Sequence, residues 1–269
     1  MAAAADADAS PQERAEMLME IAMGLQARPQ SAQQLVDAIG LYERALEVAP
    51  AEAALLQARI GARMGTALQA LPDADAPGLE RALQCFQAAI VTLQHLGRPE
   101  EVAEAELNQG LVLQSLSAIG RARVTDAIGA YQRALRTFTR EAWPQEYSVL
   151  HNNLGNALQY ASSSHVLENN LRALAAYDEA LRVRNPRDTP IEYANTIANK
   201  ANVLRNLVPD PARASLGGGL TDPLTDALAL VREAQALFER FGDAAKAALM
   251  REAAGEIEAE RAQRRHALN

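Results

Sequence analysis

Aromatic residues make up only 4% of this 269-residue chain, cysteine occurs once, and positive charge is in deficit. Each scarcity removes a class of protein. Sheets favour aromatic and β-branched side chains, so an alanine-rich chain with few aromatics points to helices packed on helices. The single Cys85 permits no intramolecular disulfide and fits a reducing compartment. Twenty-six basic residues against thirty-four acidic ones leave a formal charge of -8, which disfavours nucleic acid as a partner because that requires a basic stripe. No apolar run approaches the roughly 18 residues that cross a bilayer, so no membrane association is expected. The first residues, MAAAADADASPQER, lack the basic start and apolar centre of a secretory signal. A cytoplasmic protein is expected.

Chemical signatures are scarce too. The four histidines, His95, His151, His165 and His266, form no i, i+4 pair, and no HExxH spacing exists, so no metal is expected. Cys85 lies beside Phe86 on an apolar stripe and reads as a small core residue. The run SLGGGL from Ser215 is followed by no Lys-Ser/Thr, which separates it from a phosphate-binding loop. With VPDPARA before it, the run reads as a flexible insert over 208–221. No nucleophile, base and orienting group can be assembled, so no catalytic residue and no cofactor are expected.

What the chain has instead is internal repetition. AIGLYERAL from Ala38, ALQCFQAAI from Ala82, AIGAYQRAL from Ala127, ALAAYDEAL from Ala173 and ALALVREAQ from Ala227 share small residues framing a large one. Between them recur GTALQAL at Gly65, GLVLQSL at Gly110, GNALQYA at Gly155 and ANVLRNL at Ala201, with a degenerate copy at Gly255 and an earliest one at Gly24. From the second alanine of one segment to the next small residue the gap is 20 or 21 throughout. Apolar residues recur at helical spacing and prolines separate the units. About eleven helices are predicted, near 11–27, 32–49, 51–71, 78–95, 99–117, 123–140, 144–162, 168–184, 190–207, 222–241 and 243–265. They would form one array over 11–266 behind a disordered start, residues 1–10. Gly65, Gly110, Gly155 and Ala201 let a neighbour approach closely, and Tyr42, Phe86, Tyr131 and Tyr177 fill the space.

On these residues the chain resembles the tetratricopeptide-repeat (TPR) family, over about residues 15–265. Leu154-Gly155 with Leu158 is similar to the family's first-helix signature, and Ala127-Tyr131-Ala134 to its second-helix one. The period of about 45 exceeds the family's usual 34, as in long-repeat bacterial members. The family's aromatic four residues before the glycine is replaced by Gly61, Glu106, His151 and Ile197. The resemblance implies an all-α, right-handed solenoid of antiparallel helix pairs, with first helices on the concave side. It also implies a non-enzymatic adaptor or scaffold that holds an extended peptide or partner helix.

On that geometry the groove positions are one, four and five residues after the small residue, and three and six before it. These are Asn156, Gln159, Tyr160, Asn152 and Val149 in one helix, and Asn202, Arg205, Asn206, Ala198 and Asn195 in the next. The counterparts nearer the N-terminus include Arg59, Thr66 and Gln69, then Glu104, Leu107, Leu111 and Gln114. Asparagine is a poor helix former, so this crowding suggests an amide ladder that pairs with a peptide backbone. Arg205 would grip a carboxylate. Asn169 and Asn170 read as helix-start signals. Two alternatives remain open at this stage. The first helix, with Met17, Leu18, Ile21, Met23 and Leu25, could pair two copies in a homodimer. Less favoured is a small-ligand sensor with a pocket near His151.

Overall fold

The computed structural model describes residues 9–72, 74–161, 165–207 and 222–267. The expected insert at 208–221 and residues 1–8 of the expected disordered start lie outside the described residues. The rest is all-α, with eleven helices and no strand among the described residues. They are α1 (Pro11–Ala27), α2 (Ala32–Val48), α3 (Ala54–Gln69), α4 (Ala76–Leu96), α5 (Pro99–Ala118), α6 (Val124–Ala134), α7 (Pro144–Gln159), α8 (Val166–Leu181), α9 (Pro190–Arg205), α10 (Pro223–Arg240) and α11 (Ala244–Ala267). The chain divides into two compact units, Met1–Phe138 and Thr139–Asn269.

Proline sets many of these boundaries. Pro11, Pro99, Pro144, Pro190 and Pro223 each open a helix, where the missing N–H is not needed and the fixed φ already suits the first turn. Ser10 completes the start of α1, its hydroxyl accepting from Glu13 N at 3.3 Å while the Glu13 carboxylate accepts from Ser10 N at 2.7 Å. Gly120 and Gly242 end α5 and α10 at φ of 71° and 81°, in the left-handed region that favours glycine. The largest departure from expectation is α6, which stops at Ala134 rather than near 140. Residues 136–138 tighten into turns in which Arg136 N and Thr137 N donate three residues back. Asn169 and Asn170 correct another expectation. Both are buried inside α8, and Asn169 Nδ2 donates to Ala161 O at 3.0 Å, so it holds the preceding turn and does not start a helix.

In the first unit α1–α2, α3–α4 and α5–α6 pair, and α2 packs on α3 and α4 on α5. In the second, α7–α8 and α9–α10 pair, α8 packs on α9 and α10 on α11. Each unit is therefore a stack of helix pairs, the α-solenoid arrangement. One contact recurs at the centre of the pairs. Tyr42, Phe86, Tyr131 and Tyr177 are fully buried and face a small residue of the first helix. A methyl group at position 65 would lie 3.0 Å from the Phe86 ring, one at 155 only 2.6 Å from that of Tyr177, and one at 110 is closer still to Tyr131. In α9–α10 the pair is Ala201 and Val231, in one apolar cluster.

That register corrects both ends of the sequence pattern. In the first pair the buried small residue is Ala22, whereas Gly24 is exposed with open space around it. Gly255 is likewise exposed, and the buried face of α11 is formed by Ala247, Ala254 and Ile257. A polar residue that sequence pattern did not single out joins α7, α8 and α9. Arg184, 7% exposed, donates to Ser148 Oγ at 3.3 Å, to Thr196 Oγ1 at 2.8 Å and to Glu192 O at 3.4 Å.

The glycine–aromatic contacts give a direct test. Gly155→Ala forces the Tyr177 ring to shift and is expected to cost about 1–3 kcal/mol in urea unfolding. Gly61→Ala, in open space on α3, is expected to be neutral or to stabilise by up to about 1 kcal/mol through helix propensity alone.

Candidate functional site

The buried tyrosines do more than fill space. In each of these pairs the hydroxyl reaches the first helix and fixes an amide there. Tyr42 Oη donates to Gln26 Oε1 at 2.6 Å, and Tyr131 Oη donates to Gln114 Oε1 at 2.9 Å. Tyr177 Oη donates to Asn156 Oδ1 at 2.7 Å and accepts from Gln159 Nε2. Burial pushes the Tyr42 hydroxyl up to about 12 and moves Tyr131 and Tyr177 upward further, so each remains a neutral donor. The glutamines all occur four residues after the small residue: Gln26 after Ala22, Gln69 after Gly65, Gln114 after Gly110, Gln159 after Gly155. This signal was present in GTALQ, GLVLQ and GNALQ, and sequence reasoning missed its structural use. Where phenylalanine replaces tyrosine, at Phe86, Gln69 Oε1 is buried without a partner.

In the second unit these amides continue from α7 to α9. Gln159 Oε1 accepts from Asn202 Nδ2 at 3.0 Å, and Asn152 Oδ1 accepts from Asn199 Nδ2 at 3.4 Å. Amides of α7 and α9 therefore bond one another, at Asn199 as well as at Asn202, and part of their hydrogen-bonding capacity is spent within the protein. Arg205 departs most from expectation. Its Nη1 donates to Glu256 Oε2 at 2.7 Å and its Nε to Glu260 Oε1 at 2.9 Å, with Nη2 also on Glu260. The carboxylates it was expected to take from a partner come from α11, and these bonds raise its pKa further.

Free capacity remains at defined atoms. Asn156 keeps its Nδ2 hydrogens, because the tyrosine occupies only Oδ1. Asn195, half-buried, Asn206, exposed, and Tyr160, 71% exposed, make no side-chain hydrogen bond to any described residue. Val149 and Ala198 lie half-buried among them. The first unit uses charge at comparable places: Arg59 pairs with Glu101 at 2.7 Å and Arg63 with Glu104 at 3.4 Å. The Arg59 hydrogen bond pulls the Glu101 carboxyl down to about 2.

The replaced aromatic positions are filled in distinct ways. Glu106, 5% exposed, accepts from Arg133 Nε at 2.8 Å, and Arg133 also donates to Gln109 Oε1 at 2.9 Å. Burial pushes the Glu106 carboxyl up while Arg133 opposes it. Ile197 is buried. His151 is half-buried, with its ring 4.3 Å from that of Tyr147 and its Nδ1 shielded and unpartnered. Burial lowers its pKa against the nearby Glu179, so the ring packs as neutral imidazole. Cys85 is half-buried and burial raises its thiol, which makes it a weak nucleophile. Among the described residues no group of three or more His, Cys, Asp or Glu side chains is placed to hold a metal, and no helix is long and apolar enough to cross a membrane. The layer therefore offers fixed neutral amides, which suit recognition of polar main-chain groups.

Two measurements test this account. Phe86→Tyr places a hydroxyl within the register that serves Gln114 and Gln26, and satisfying Gln69 Oε1 is expected to stabilise the chain by about 1 kcal/mol in urea unfolding. For His151 the sign follows from its lowered folded pKa. The unfolded chain takes up the proton first, so stability is full above the ordinary value of 6.5 and declines as pH falls below it. His151→Phe is expected to remove that part of the decline in Tm between about pH 7 and pH 5; an unchanged pH profile would contradict it.

No family model matches the sequence, and no curated protein matches it either. Among solved structures, the chain is similar to the crystal structure of BtubC (BKLC) from P. vanneervenii, with 20% sequence identity over 93% of this chain and 82% of that one, at a TM-score of 0.48.

Proposed function

We propose that this chain is a TPR-like, non-enzymatic scaffold of the bacterial cytoplasm, and that the α7–α9 amide layer holds an extended peptide of a partner protein. The observation that carries the reading is the partial use of the ladder. Tyr177, Gln159 and Asn202 bond one another and hold the amides still, while Asn156 Nδ2 and the side chains of Asn195, Asn206 and Tyr160 keep unspent polar groups. Preorganised amides lose little side-chain freedom on binding, so more of each hydrogen bond appears as affinity. An extended peptide exposes unpaired N–H and C=O groups that such amides match irrespective of its side chains. Tyr160, with one apolar face and a polar tip, suits a contact at the edge of that layer.

Asn202 and Arg205 now read as supports of the layer, so substituting them would disturb α7, α9 and α11 together. The cleaner variant is Tyr160→Ala/Asn195→Ala/Asn206→Ala, which breaks no side-chain hydrogen bond among the described residues. Peptides enriched from a displayed random library on the wild-type protein are expected to bind this variant at least tenfold more weakly, about 1.4 kcal/mol, with unchanged helical circular dichroism. Peptides that bind the variant equally well would remove this layer as the site.

A further inference from the structure

The amides of α7 and α9 are committed in one sense only. On α7 the oxygens are taken: Asn152 Oδ1 accepts from Asn199 Nδ2 at 3.4 Å, Asn156 Oδ1 from Tyr177 Oη at 2.7 Å and Gln159 Oε1 from Asn202 Nδ2 at 3.0 Å. The Nδ2 groups of Asn152 and Asn156 bond no described residue. On α9 the commitment is reversed. Asn199 and Asn202 each spend a hydrogen of Nδ2 on α7 and keep Oδ1 open. Gln159 holds the two rows together, its nitrogen on Tyr177 and its oxygen on Asn202, so Asn156 and Asn202 flank one side chain. The layer therefore offers N–H groups from α7 and oxygens from α9.

This polarity disfavours charged groups in a partner. A carboxylate carries acceptors only and would set oxygen against oxygen at Asn199 and Asn202. An ammonium or guanidinium carries donors only and would face the N–H groups of Asn152 and Asn156. Neither would find a free counter-charge on these helices' cations, because Lys200 is bound to Asp178 and Arg205 to Glu256 and Glu260. Taking a charge out of water without a partner is costly. Main-chain groups fit these rungs only in part. Successive peptide units of an extended segment turn their C=O groups to opposite sides, so every second one would meet an oxygen of α9. Asn195 and Asn206, uncommitted in both senses, are better placed to serve the main chain. The group that matches a rung is a side-chain carboxamide, whose oxygen accepts from α7 while its nitrogen donates to α9.

The spacing of the rungs sets the spacing of the ligand groups. Asn152 and Asn156 are about one turn apart, or about 6 Å along the axis at 1.5 Å per residue. Alternate side chains of an extended segment point the same way and lie about 7 Å apart. We infer that α7 and α9 select an uncharged segment that carries asparagine or glutamine at two alternate positions, one carboxamide for the Asn152–Asn199 rung and one for Asn156 with Asn202. This selectivity rests on the peptide holding proposed above and adds the side chains that the held segment presents.

The probes are the peptides enriched from the displayed random library on the full-length wild-type protein. They are expected to share two carboxamide residues at alternate positions within an uncharged stretch, and to bind equally well in low and high salt. Replacing either carboxamide by glutamate, or by methionine of similar shape, is expected to weaken binding about tenfold or more. On the protein, Asn156→Asp keeps an oxygen for the Tyr177 hydroxyl but turns the free donor into an acceptor. It is expected to weaken the same peptides about tenfold or more with unchanged helical circular dichroism. Peptides that are lost on the Tyr160→Ala/Asn195→Ala/Asn206→Ala variant, yet share a charged consensus, tolerate glutamate or ignore Asn156→Asp, overturn this selectivity alone. Peptides indifferent to that triple variant overturn the peptide holding by this layer and the selectivity with it.

Discussion

The contact between one aromatic ring and one residue without a side chain sets the three central helix pairs, α3–α4, α5–α6 and α7–α8. Tyr131 and Tyr177 lie so close to Gly110 and Gly155 that not even a methyl group fits between them. Such an approach fixes the rotation and height of the second helix on the first, since a shift by one residue would place a side chain where the ring must go. Once that register is set, the tyrosine hydroxyl meets the residue four positions after the small one, and in α7 also the residue directly after it. Packing thus decides which polar groups the first-helix layer can use, and the layer's chemistry follows from its core.

Much of this was legible because packing leaves periodic marks. Apolar spacing and proline placed the helix starts within a few residues, since each proline that opens a helix cannot be inside one. The amide positions 152, 156, 159 and 202 were also legible, because rotation about a helix follows directly from sequence spacing. What spacing could not reveal was where the bonds of those amides go. Asn202 and Gln159 lie forty-three residues apart and meet only when α9 lies beside α7. Arg205 was mistaken for a free guanidinium for the same reason, since Glu260 and Glu256 lie 55 and 51 residues further along the chain.

The two register errors share one cause. Gly24 and Gly255 were taken as the small packing residue because glycine marks that place in three central pairs. At the ends of the array the required property is small size, which Ala22 meets equally well. Counting from glutamine would have corrected the first: Gln26 is four residues after Ala22, as Gln159 is after Gly155. The polar partner of the tyrosine is thus a sharper register mark than the glycine.

That position also explains a substitution that looked like a binding feature. Four pairs carry glutamine there and the fifth carries Arg205. Glutamine is useful where a tyrosine hydroxyl can meet it, as Gln26, Gln114 and Gln159 show. Gln69 shows the cost of keeping it without one: opposite Phe86 its oxygen is buried and unpaired. In the fifth pair the large residue is Val231, which offers no hydroxyl at all, and the neighbouring α11 presents two carboxylates. A guanidinium donates in several directions and accepts from none, so it needs no hydroxyl and can bind both. The change from glutamine to arginine follows from the loss of the tyrosine and the charge of the last helix, before any partner is considered.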